Sequence, residues 1–255
     1  MNIFWIAVLL LLSKLYFISV EIITYKTKWP FHVARKSFPK PTSSPNYCMS
    51  QLCPKKVRHL TCDTKFWGPK CGKSHEGVKL KKCKKNIVQL HNKVRNRLND
   101  GGVYGLPRAR NIPMVSWDDE LAVMAMRITN QCNLDFENSF CVNTFRFPNV
   151  AENSDFLDLE EYPAKAMYFF IYKWFLYYKQ ITPIDVRRFP RNATRKMRLF
   201  ANMVYKGADK VGCGMLNSGS KRFVTCIYND KVKPGKRLFF TSPYPVNVTL
   251  TKPKN

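Results

Sequence analysis

Acidic residues are scarce in this chain of 255: 17 Asp and Glu stand against 43 Lys and Arg, a net charge of +26. Histidine occurs four times and glycine only 11 times. So little glycine, with no persistent triplet or heptad, excludes collagen and coiled coil. No internal repeat recurs, which excludes solenoids and propellers. Hydrophobic stretches do not recur often enough for a multi-span membrane protein. G-x-S-x-G, H-E-x-x-H and P-loop signatures are all missing. What is present is 45% apolar and 14% aromatic residues, too many for a disordered basic tail. The length suits one sizeable core with a small satellite module.

Ile3 to Leu12 is an unbroken apolar run of ten, the size of a signal-peptide core and short of a spanning helix. Residues 1–20 are expected to be a cleaved signal, with a retained membrane anchor as the alternative. All nine cysteines (Cys48, Cys53, Cys62, Cys71, Cys83, Cys132, Cys141, Cys213 and Cys226) follow it. Zinc clusters usually pair cysteines as in C-x-x-C. Here Cys48 and Cys53 have four residues between them, no second close pair exists, and His32, His59, His75 and His91 form no H-x-x-x-H. Disulfides explain the cysteines better and point to a secreted, extracellular protein. The sequons Asn192-Ala-Thr194 and Asn247-Val-Thr249 make Asn192 and Asn247 candidate glycosylation sites.

Residues 21–47 mix Lys, Pro and Ser and read as a basic linker. Residues 48–80 hold four cysteines and few periodic apolar positions, the mark of a small module that needs cross-links. The main domain, 81–231, opens with Ile87, Leu90, His91, Val94 and Leu98 at helical spacing, stopped by Asn99-Asp-Gly-Gly102. Ser116, with Asp119 three residues on, is expected to cap a second helix whose stripe is Leu121, Met124, Ala125 and Ile128. Pro163 is expected to open a third, bearing Met167, Phe170, Ile171 and Trp174. A fourth spans roughly 193–205. Val211–Leu216 and Arg222–Tyr228 flank an Asn/Ser/Gly turn and read as an antiparallel hairpin that makes Cys213 and Cys226 cross-strand neighbours. Residues 232–255 read as an irregular basic tail. Helices followed by a hairpin argue for an α+β fold.

Four segments resemble the CAP superfamily of secreted proteins, specifically its insect antigen-5-like, or venom-allergen-like, branch. Leu90-His-Asn-Lys-Val-Arg95 is similar to L-H-N-x-x-R, and Met114–Ala122 to M-x-W-x-x-x-L-A. Arg146–Asn153 is similar to R-F-x-x-V-G-Q/E-N, and Met203–Gly214 to M-V-W followed by V-G-C-G. The Y-C-x4-C-x8-C-x8-C run from Tyr47 matches the branch's amino-terminal extension. The resemblance covers about residues 47–228. It implies a three-layer α-β-α sandwich with an antiparallel sheet, and the pairs Cys48–Cys62, Cys53–Cys141, Cys71–Cys132 and Cys213–Cys226. Cys83 is left over, either buried and free or bridging to a second chain.

The same resemblance implies a cleft that often holds two His and two Glu. Only Glu152 matches; Asn138, Tyr177 and Leu199 take the other three places. One carboxylate without an imidazole is a poor divalent-metal site, so no cofactor and no enzymatic activity are expected. A residual metal-dependent hydrolase is the alternative. What remains is charge: Lys79, Lys81, Lys82, Lys84 and Lys85 fall within seven residues, with further runs at 187–198 and 231–237. Such runs draw polyanions, and salt weakens them. The expected partners are an extracellular protein, glycan or anionic lipid surface; the compartment argues against nucleic acid. A monomer is expected, a Cys83-linked dimer being the alternative. The aromatic stretch Tyr168–Tyr178 is expected to be mostly core.

Overall fold

The computed structural model describes residues 46–62, 64–72, 75–135, 140–160 and 167–243. The leader, Pro163, Asn138 and Asn247 lie outside the described residues. In chain order the elements are β1 (His75–Gly77), α1 (Lys84–Asn99), β2 (Ser116–Trp117), α2 (Asp119–Thr129), β3 (Ala151–Asp158), α3 (Met167–Leu176), α4 (Pro183–Arg187), α5 (Arg195–Val204), β4 (Lys210–Ser218) and β5 (Lys221–Tyr228).

The sheet runs β1-β4-β5-β3, antiparallel throughout, with β2 pairing parallel to β4 beside β1. Strand side chains alternate between faces, and each face takes its own helices. Val211, Cys213, Met215, Val224, Cys226 and Tyr228 pack in one large core with α1, α3 and α5. Ile227, on the opposite face, packs with Leu121, Met124, Ala125 and Ile128 of α2. The result is an α-β-α sandwich. Gly212 and Gly214 explain why α2 lies so close: a Cβ at Gly212 would stand 2.1 Å from the Ala122 nitrogen, and one at Gly214 2.7 Å from the Met126 Cα. The β4–β5 turn uses Gly219 at φ +57, where a side chain would be strained.

Several local expectations change. The cap of α2 is Asp118, not Ser116: the Leu121 backbone N–H donates to the Asp118 carboxylate at 3.1 Å. Ser116 is extended because its segment pairs with Lys210 and Val211. The fourth helix starts at Arg195, after Thr194 caps it by accepting from the Met197 N–H. β3 was not foreseen. Its sequence, AENSDFLD, is polar on both faces and lacks the apolar alternation that announces a strand. The described part of the tail, residues 232–243, is irregular yet integral: Leu238 and Phe239 are fully buried in the main core.

Four disulfides join Cys48–Cys62, Cys53–Cys141, Cys71–Cys132 and Cys213–Cys226. Cys213 and Cys226 are directly opposed in the ladder. Two of the bridges tie the small module to the segment after α2. His59 strengthens that seam by donating from Nε2 to the Asn143 carbonyl and accepting the Thr61 backbone N–H at Nδ1. Cys83 is unbonded and half-buried. On α3, Phe170, Ile171, Trp174 and Phe175 are buried, while Tyr168 and Tyr172 are each 55% exposed.

Candidate functional site

β3 is an edge strand, the last in the order of the sheet. A cleft of about 520 Å³ opens there, between the segment after α2 and the start of α5, within the size range of small-molecule sites. Glu152 and Ser154 are two residues apart on β3, so both face the α2 side of the sheet, as does Thr225, paired with Ser154 in the β3–β5 register. The Ser154 hydroxyl donates to Glu152 Oε1 at 2.6 Å and lies 2.9 Å from the Thr225 hydroxyl. Donation to the carboxyl leaves Thr225 as the donor to Ser154. Glu152 Oε2 is shut away from solvent and, among the described residues, has no hydrogen-bond partner. Burial pushes the Glu152 carboxyl above its ordinary value, against the opposing pull of Ser154, Arg195 and the Phe140 backbone N–H.

Leu199 lines the cleft but is an aliphatic side chain, 3% exposed. Tyr177 stands outside the lining, on the 3-10 turn after α3, with the Lys196 ammonium over its ring. Asn138 is not among the described residues. Among those residues no group of three or more His, Cys, Asp or Glu could hold a metal ion. Asp155, nearest Glu152 in sequence among the lining carboxylates, is engaged by Lys173 and the Trp174 indole N–H.

His91 is far from catalytic in its setting. It is fully buried; Nδ1 donates to the Ile87 carbonyl at 2.8 Å, so Nε2 accepts the Tyr228 hydroxyl at 2.9 Å. Burial drives it down to about 4, keeping it neutral. Arg95, one helical turn on, is equally buried and donates to the carbonyls of Pro113, Met203 and Ala208. Both residues of L-H-N-x-x-R are thus structural braces.

The basic runs are more telling. The 231–240 segment is zipped against α4 and its exit: Phe189 N–H donates to the Lys236 carbonyl, Gly235 N–H to Phe189, and Leu238 N–H to Val186. This merges the runs at 187–198 and 231–237 into one face. Arg187, Arg188, Arg191, Lys233, Lys236 and Arg237 are exposed there, and among the described residues none is paired with a carboxylate. The 79–85 run sits apart, at the start of α1, where Lys84 is paired with Asp119. The cleft mouth, with Arg191, Arg198 and Lys231, adjoins the merged face. Sequence reading missed Ser154 and Thr225: Thr225 lies on β5, which was foreseen, but its partner strand β3, which carries Ser154, was not.

A disulfide-braced α-β-α sandwich with a cleft at its edge strand defines the class. The model of the cysteine-rich secretory protein family, CAP, matches residues 88–228, and the chain belongs to that family. It is 26% identical over 193 residues to antigen 5 like allergen Cul n 1 of Culicoides nubeculosus, spanning 71% of this chain and 87% of that protein. It is 30% identical over 178 residues to venom allergen-1 of Aedes albopictus, spanning 68% of each. Among solved structures, NaASP2 with Zn2+ superposes with a TM-score of 0.54 at 17% identity, covering 69% of this chain and 90% of that one.

Proposed function

We infer that this protein is a secreted, non-enzymatic CAP protein that binds sulfated glycans outside the cell through the face formed by α4, its exit and residues 231–240. The observation that carries this reading is the backbone zipper that brings two separate basic runs together; Asp185 on α4 is taken up by Thr182, and among the described residues no carboxylate is ion-paired with the exposed cations of this face. Concentrated charge of one sign raises the encounter rate with an oppositely charged polymer and makes binding fall with salt. The missing ligand set at Glu152 supports a binding role over hydrolysis. Asn192 is exposed in the turn before α5, which suits it to carry a glycan; peptide-N-glycosidase should then lower the mass of the secreted protein.

The test is a heparin column with the purified secreted chain. Retention well above physiological salt is expected. Replacing Arg187, Arg188, Lys236 and Arg237 by Gln should lower the eluting salt more than replacing Lys79, Lys81, Lys82 and Lys85 by Gln. Elution at or below physiological salt would count against the whole reading, and equal shifts for the two quartets would count against its location.

A further inference from the structure

The cleft beside the basic face combines three kinds of surface. Its floor is polar, built from the hydroxyl relay Thr225 to Ser154 to Glu152. Phe140 and Val142 provide apolar wall, and Arg191, Arg198 and Lys231 stand at the mouth. A sugar presents the matching set: hydroxyls for the floor, an apolar ring face for the wall, and, if acidic, an anion for the mouth. The remaining Glu152 oxygen is buried without a hydrogen-bond partner among the described residues, a costly condition for a carboxyl group. Asp155 does not compete for the cations at the mouth, being held by Lys173 and Trp174.

We propose that this cleft is a binding site for the terminal unit of an acidic saccharide, with Glu152 bonded to a ring hydroxyl and Arg191, Arg198 and Lys231 holding its sulfate or carboxylate. The proposal rests on the glycan-binding reading of the adjoining face and adds an end-recognising pocket to it. A long chain could then lie along the face with its end in the cleft.

The probe is a heparin-derived sulfated disaccharide, too short to span the face, titrated calorimetrically into the full secreted chain. Its unsulfated counterpart and inorganic sulfate are run beside it. One saturable site is expected, at least tenfold weaker for the unsulfated sugar and for sulfate alone. Glu152→Ala, and separately the surface double variant R191Q/R198Q, should each weaken the disaccharide at least tenfold. No saturable disaccharide binding, binding unchanged in R191Q/R198Q, or sulfate alone binding as well as the disaccharide would each overturn the proposal. If long heparin is still retained in those cases, the glycan-binding face stands and only the cleft assignment falls; if it is not, both fall.

Discussion

His91 and Arg95 show how far the meaning of a side chain depends on burial. A histidine exposed on a helix would titrate near 6.5; here its ordinary value falls to about 4. The unfolded chain therefore takes up the proton first as pH drops. Stability from this residue is complete above about pH 6.5 and is lost as pH falls toward 4, about 3 kcal/mol across the window. His59, lowered in the same direction by burial, adds to the loss. Urea midpoints between pH 7 and pH 4.5 should fall in the native chain and fall less steeply in His91→Gln, which cannot titrate. Arg95 makes a second residue-scale prediction. Three carbonyls depend on its guanidinium, and each buried acceptor left unpaired costs about 1–3 kcal/mol. Arg95→Met should lower stability by about 3 kcal/mol or more in chemical denaturation. Both residues stand in a motif readable in the sequence; the reading supplied the helix and a structural hydrogen bond for His91, but not its partners. That Nε2 of His91 meets Tyr228, 137 positions away, is a fact of packing that no local pattern carries.

Among elements, the apolar stripes of α1, α2 and α3 were legible because helices bury one face at a 3.6-residue period. The β4–β5 hairpin was legible from its turn. β3 was not, since an edge strand beside a cleft keeps Glu152, Ser154 and Asp155 where a buried strand would carry Val or Ile. The same feature that hid the strand built the candidate site. Close approach of α2 to β4 yields a further prediction. Gly212→Ala places a methyl on backbone atoms of α2 that cannot move aside, so it should destabilise by about 2 kcal/mol or more, read as a lowered urea midpoint. An alanine at Gly105 meets no atom within 4 Å, although its φ of +80 imposes strain of about 1 kcal/mol. The difference between the two variants isolates helix–sheet contact from backbone conformation.

At the scale of the whole molecule, the family, the fold and the density of positive charge could be read from one chain. The gathering of that charge could not, because residues 187–198 and 231–237 meet only through hydrogen bonds formed in the folded state. Nor could the sequence place the tail, whose composition is that of a loop although Leu238 and Phe239 complete the core. Cross-linking makes the prediction at this scale. Cys53 and Cys141 are 88 residues apart, and closing so long a loop removes unfolded-state freedom worth about 4 kcal/mol. The double variant Cys53→Ala, Cys141→Ala should lose stability of that order, seen as a drop in the urea midpoint under non-reducing conditions.

The bridge from Cys71 to Cys132 lies nested inside the one from Cys53 to Cys141. A peptidase that severs the backbone anywhere between positions 53 and 141 therefore releases nothing: both pieces stay covalently attached. Clipped molecules would migrate as whole ones until a thiol reagent is added, and their exposed arginines and lysines would remain on a single particle.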